Sequence, residues 1–275
     1  MTTFLVVVVF LGLLLSLSTG KTSYLYTAIF LSLTLNIISY FFSDKIALSV
    51  AGAELADENK YQELYQVVSA LSKKNKMPKP KIYVIQEAGP NAFATGRDEK
   101  HSSVAVTTGL LATLNKSELE GVIAHELSHI KNKDILIMTS TVVMAGVISM
   151  LANFAIRRSF ASDKESNALA ILIGVVASII LPIAASLIQL AISRKREFIA
   201  DASSGLLTGY PEGLASALQK IGAYTQPLTR ASSSTAHLYI SCPFGSEERQ
   251  TFFQKLFMTH PPIEERIKAL LNNVQ

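Results

Sequence analysis

Long uncharged stretches alternate with mixed hydrophilic ones along this chain. Residues 1–20, 22–43, 135–156 and 166–193 contain no Asp, Glu, Lys, Arg or His. A helix of about 20 apolar residues crosses a hydrocarbon core of roughly 30 Å, so each stretch is long enough to span a membrane. The first two, separated by a short loop around Lys21, predict a transmembrane hairpin over residues 1–43. Residues 1–20 also have the length of a signal peptide, but they lack a basic leading region and a small-x-small cleavage site. The third and fourth stretches carry Thr139, Ser140, Asn153, Pro182 and Gln189. They read either as a second transmembrane pair or as a buried helical hairpin, residues 135–192 in all. Pro182 should kink its helix, which a membrane helix tolerates when neighbours satisfy the freed carbonyl.

Two hydrophilic blocks remain, residues 44–134 and 193–275. Tyr61, Leu64, Tyr65, Val68 and Leu71 recur at helical period, predicting a helix over residues 56–76 that the Pro78 and Pro80 pair ends. Short strands are expected at 81–85, 92–95 and 103–107, punctuated by Gly89-Pro90 and Gly96. Ser117 and Glu120 form a capping-box pattern for a helix running to about Asp134. A small sheet followed by a helix makes the hydrophilic part α+β. The two blocks are read as two parts of one catalytic domain attached to a multi-span helical membrane protein.

Composition sharpens this picture. Hydrophobic residues make up 49% of the chain, charged residues 17%, and mean hydropathy is +0.33, which excludes an intrinsically disordered chain. Cys242 is the single cysteine, so a disulfide scaffold is excluded. A net charge of +4 without a dense Lys/Arg run does not suit a nucleic-acid binder, and no phosphate-binding Gly-rich loop points to a nucleotide. Basic residues near the span ends favour a cytoplasmic hydrophilic part. Eight, including Lys45, Lys131, Lys133 and Arg196, flank the spans on that side, against Lys21, Arg157, Arg158 and Lys164 in the short loops.

The candidate chemistry starts at His125-Glu126-Leu127-Ser128-His129. On a helix, positions i and i+4 share a face, so both imidazoles can bind one metal ion, and Glu126 can reach a water on that ion. Two histidines on a surface helix would give the same letters. After the fourth apolar stretch come Glu197 and Asp201, again i and i+4. The first can serve as a third ligand while the second accepts a proton from the far nitrogen of a ligand histidine. Paired carboxylates at this spacing are also common on solvated helix faces. Two apolar stretches separate Glu197 from His125, so crossing out and back returns the chain to the same side. His101 and His237 read as surface residues, Glu118 and Asp134 as helix-end charges.

Taken together, these segments resemble the HtpX family of membrane-embedded zinc metalloproteases, relatives of the CAAX prenyl proteases. The resemblance covers nearly the full length. It rests on the N-terminal hairpin, on residues 90–96 and 104–111, on the His125 to His129 motif, on Arg196-Glu197-Phe198-x-Ala200-Asp201, and on Thr259-His260-Pro261-Pro262 with Glu265-Arg266-Ile267. It implies one Zn2+ per chain held by His125, His129 and Glu197, with Glu126 as general base and Asp201 orienting a ligand. It implies a substrate-docking edge strand at Asn91, Ala92, Phe93 and Ala94, and an oxyanion role for His260 and Arg266.

The function so expected is an integral-membrane zinc endopeptidase of the plasma (inner) membrane, multi-pass, with its site facing the cytoplasm. By resemblance its substrates are misfolded or damaged membrane proteins. The rival from another class is a non-catalytic membrane adaptor with a structural zinc. Such a site would fill four positions, often with cysteine, and no Cys/His spacing surrounds Cys242.

Overall fold

The computed structural model describes residues 20–140, 194–231, 235–244 and 261–272, together with residues 5, 8–10, 12, 13, 16 and 17. Most of the third and fourth apolar stretches, and His260, lie outside the described residues.

Helix α1 runs over Ser23–Val50. It continues past Asp44 and Lys45, where the uncharged stretch stops, because Ala47 and Leu48 beyond them are buried against the sheet. Ser32, Ser39, Ser43 and Ala47 form its buried side, at spacings that keep them on one face. The outward side is apolar, with Phe30, Ile37 and Phe41 exposed.

After α1 come β1 (Ala53–Leu55) and α2 (Gln62–Lys74), then β2 (Lys81–Ile85), β3 (Ala92–Asp98) and β4 (His101–Thr107). The expected helix over 56–76 is shorter at both ends. Ala56 still pairs with the sheet through Ile82 O, and the Asp57 carboxylate turns the chain by accepting from Asn59 N–H. Lys76, at φ 56°, ends the far side in the left-handed region. Sheet order is β1-β2-β4-β3, with β2 and β4 parallel and the outer pairs antiparallel, so β3 is an edge strand.

Side chains on a strand alternate between faces, and both faces of this sheet are covered. Ile82, Val84, Ala92, Ala94, Val104 and Val106 join a core with α2 and with the helices over Lys116–Lys131 and Pro211–Gly222. Ile85, Phe93 and Ala105 face the other way, towards Ala47 and Leu48 of α1 and towards Leu238 and Tyr239. Phe93 and Ala105 are directly opposite in register, and Phe93 meets Tyr239 edge to face at 5.2 Å.

Beyond β4 lie α3 (Thr108–Thr113), α4 (Lys116–Lys131), α5 (Arg194–Thr208), α6 (Pro211–Gly222) and α7 (Ile263–Asn272). The cap of α4 differs from the expected one by two residues. Asn115 is the N-cap, its side chain accepting from Glu118 N–H while the Glu118 carboxylate accepts from Asn115 N–H. Glu118 wins over Glu120 because α6 adds two more partners, Ser216 Oγ at 2.6 Å and Lys220 Nζ at 2.8 Å. It is therefore a buried anchor between helices and not a solvated helix-end charge. The described residues are mostly helical with one small mixed sheet, and α4 lies between that sheet and the helices α5 and α6.

Candidate active site

Helix α4 is buried along nearly its whole length, which turns its polar face into the floor of a site. His125 and His129 stand one turn apart with rings edge to face and centroids 4.8 Å apart. Their Nε2 atoms are 3.2 Å from each other. Glu197 reaches the same place from α5, with Oε1 3.4 Å from His129 Nε2 and Oε2 3.8 Å from His125 Nε2. One donor atom from each of the three lies within 4.8 Å of the others, and all three residues are buried.

Each imidazole is also held from behind. His125 Nδ1 is 2.9 Å from Asp201 Oδ1, and His129 Nδ1 is 3.2 Å from Asp134 Oδ2. A carboxylate only accepts, so each Nδ1 carries a hydrogen, and a neutral ring then turns its Nε2 lone pair inwards. Two lone pairs facing across 3.2 Å beside a carboxylate repel one another unless a positive charge sits between them. Among the described residues, Glu126, Asp134, Glu197 and Asp201 place four carboxyl groups around the imidazoles, an acidic surrounding that favours a cation. The donor set of two imidazoles and one carboxylate therefore suits a metal ion.

Titration follows the same field. Burial lowers the His125 pKa, and Asp201 only partly offsets it. Burial would lower His129 too, but Asp134, Glu197 and Glu126 raise it to about 9. Glu126 is pushed up to about 7 by burial, against the pull of His129 and of the nearby Ala94 backbone. The candidate base thus lies beside the edge strand.

Arg266 is fully buried and heavily engaged. Its Nε and Nη2 donate to the two oxygens of Asp201 at 2.9 and 2.7 Å, and Nη1 donates to Ile240 O at 2.8 Å. Nη1 also lies 3.6 Å from Glu197 Oε2. Burial would raise the Asp201 pKa, yet Arg266 and His125 hold it below the usual carboxylate range. This placement sets Arg266 against both Asp201 and Glu197, next to His125.

Asn91, just before β3, and Ala92, Phe93 and Ala94 within it are all buried, so backbone groups are what the strand offers at its outer edge. Ala92 O accepts from Ile240 N–H at 2.9 Å, and Asn91 Nδ2 donates to Ser241 O at 3.1 Å. Farther along, Gly96 N–H reaches Thr139 Oγ1 at 3.3 Å. Ala94 lies between these contacts, beside Glu126. His101 is exposed and pairs with Asp98.

The sequence left Asp134 as a helix-end charge and Arg196 as a motif residue without a role; the structure brings both to the back of His129 through an Arg196 Nη1 to Asp134 Oδ1 bond of 2.8 Å.

A helix-borne histidine pair with a carboxylate beside the first, a third donor from a second helix and an adjacent edge strand define a metallopeptidase. The chain belongs to peptidase family M48, whose family model matches residues 58–274. It is 49% identical over 260 residues to a protease HtpX homolog of Caldanaerobacter subterraneus subsp. tengcongensis, covering 91% of this chain and 85% of that one. Another, from Tropheryma whipplei strain Twist, is 42% identical over 277 residues, covering 98% and 94%. Among solved structures, S. mikatae Ste24p superposes with a TM-score of 0.54 at 20% identity. That match covers 96% of this chain and 62% of Ste24p, so it speaks for the fold alone.

Proposed function

We propose that this metallopeptidase is an integral-membrane zinc endopeptidase that cleaves cytoplasmic segments of misfolded or damaged membrane proteins. The observation that carries the catalytic half is the inward-facing trio of His125 Nε2, His129 Nε2 and Glu197, with both Nδ1 atoms committed to carboxylates. Two imidazoles and one carboxylate match the ligand type of hydrolytic zinc sites. Among the described residues no cysteine joins the trio, which speaks against a structural zinc in an adaptor.

His125, His129 and Glu197 would hold the zinc ion, which would supply an acidified water and a Lewis acid for the scissile carbonyl. Glu126 takes the proton of the attacking water and passes it to the leaving amine. Its raised pKa suits both halves of that task. Asp201 and Asp134 keep the two ligand rings in the tautomer that presents Nε2. Arg266 fixes Asp201 and shields the negative charge of Glu197. An extended substrate pairs with the edge of β3 near Ala94, close to the Glu126 carboxyl, as peptides commonly add to a sheet edge.

Membrane attachment rests on α1. Its 28 residues include an 18-residue window of mean hydropathy 1.7 that is only 11% buried. Its length of about 42 Å exceeds a hydrocarbon core of roughly 30 Å. The excess of basic residues beside the catalytic segments supports a cytoplasmic site.

The test is proteolysis of an unfolded reporter protein by detergent-purified chain with zinc, beside Glu126→Gln. Wild type should cut. The variant should lose about two to four orders of magnitude in rate while still holding one zinc per chain. Equal cleavage by both would remove Glu126 from the mechanism, and tight zinc without cleavage by either would favour the adaptor.

A further inference from the structure

The second nitrogen of His129 is held by a residue with no place in the sequence pattern. Asp134 is five positions after His129, and on a continuous helix that offset points about 140° away. The contact exists because α4 stops between them. Asn132 caps it, donating its N–H to Ser128 O at 2.9 Å, and Lys133 takes φ 62°, a left-handed conformation uncommon for a side-chain-bearing residue. After a two-residue turn the next helix begins at Asp134, whose carboxylate lies behind His129. Strained backbone of this kind persists where the surroundings over-determine it.

The carboxylate is itself anchored. Oδ2 faces His129 Nδ1 at 3.2 Å while Oδ1 accepts from Arg196 Nη1 at 2.8 Å, and the Asp134 side chain is 7% exposed. Arg196 precedes Glu197 directly, so one α5 turn supplies both the third donor and the cation that fixes Asp134. The other ligand histidine has a parallel arrangement, in which Asp201 faces Nδ1 of His125 and Arg266 fixes Asp201. Both imidazoles are thus backed by a carboxylate that an arginine holds in place.

We infer that Asp134, held by Arg196, is the positioning residue for His129 in the metal centre. The pair also ties the residue just before the 135–193 stretch to one three positions after it. It fixes the Nδ1–H tautomer and the ring plane, so that Nε2 faces the Nε2 of His125 and Glu197. This rests on the metal-centre reading above, and the experiment is chosen to separate the two.

The full chain is purified in detergent, stripped of metal, and titrated with zinc against a chromophoric chelator; a parallel sample is loaded with cobalt(II) for its visible spectrum. Asp134→Ala should weaken zinc binding by about 10- to 100-fold, the usual scale for such outer partners, and shift the cobalt bands. Asp134→Asn, which keeps an acceptor oxygen but loses the charge, should fall between. Arg196→Gln should weaken zinc in the wild-type background and have no further effect beside Asp134→Ala. If Asp134→Ala fails to fold, the Asn and Arg196 variants carry the test. His129→Ala is the reference. If it loses zinc while the Asp134 and Arg196 variants bind as wild type with unchanged cobalt bands, the positioning role is refuted and the metal centre stands. If His129→Ala itself binds zinc as wild type, the metal-centre reading falls and this inference with it.

Discussion

Gly121 lies one turn before His125 on α4, and Gly121→Ala sets local propensity against packing. In a free helix interior the change stabilises by about 0.5–1 kcal/mol. Here an alanine Cβ would stand 2.6 Å from Leu214 N, 2.8 Å from Leu214 Cα and 3.1 Å from Gly213 C, all backbone of α6. None of those atoms can rotate away, so α4 and α6 must separate. Overpacking that moves backbone costs about 1–3 kcal/mol. The net is a loss of about 1–2 kcal/mol, or roughly 2–8 °C in apparent Tm for a chain near this size. The hydrogen bond from Ser204 Oγ to Gly121 O, 2.7 Å, transmits the shift to α5 and so to Glu197. Peptidase activity should therefore fall by more than the small loss of stability explains. Gly205 in α5 is the control, because an alanine Cβ there meets only the Pro211 ring, 3.1 Å at closest. Gly205→Ala should leave Tm and activity near wild type. Thermal scans at one fixed rate, paired with cleavage assays, read both. A Gly121→Ala protein that melts higher than wild type and cleaves normally would refute the close-packed α4–α6 contact.

Two further outcomes follow from the buried charges. Burial pushes the Glu118 carboxyl up, but Lys220, Ser216 and the Asn115 N–H together hold it below the usual range. A depressed folded pKa gives stability that is present above the unfolded value of about 4.3 and lost as pH falls through the folded value. Glu118→Gln should cost about 1 kcal/mol at pH 7 through the cap and flatten the stability profile below about pH 4, read by denaturant unfolding from pH 3 to 8. A variant with the wild-type acid limb would show that Glu118 contributes nothing there. Removing metal with a chelator should lower apparent Tm. An ion at a thousandfold its Kd stabilises by about 4 kcal/mol, and His129→Ala should show little of that shift. Equal shifts in both proteins would place the stabilising ion elsewhere.

The legible part of this molecule is the part governed by local periodicity. The His125 to His129 spacing and the Glu197 to Asp201 spacing are both i, i+4, and such pairs share a face whatever lies around them. The strands were visible from their punctuation, although β3 runs on to Asp98 and β4 begins at His101, because the turn between them closes on the Asp98 carboxylate accepting from His101 N–H. What stayed hidden depends on non-helical offsets or on distant partners. Asp134 acts at i+5 through a broken helix. Glu118 takes its importance from Ser216 and Lys220, roughly a hundred positions away. Arg266 looks like a solvated helix charge beside Glu264 and Glu265, and only the tertiary fold drives it into the core against Asp201.

These hidden residues share one physical reason for being where they are. An unpaired ion in a protein interior costs several kcal/mol, so a site that buries four carboxylates and two histidines cannot be assembled one group at a time. Arg266 must arrive with Asp201, and Arg196 with Asp134, or the negative charges around the imidazoles would drive protons onto the groups meant to bind metal. His129, held at about 9, shows how strongly that field already favours a positive charge beside it. The arginines offset part of that field where the three donors converge, and a bound cation would offset more of it, which is why the chemistry of the centre and its stability belong to one arrangement.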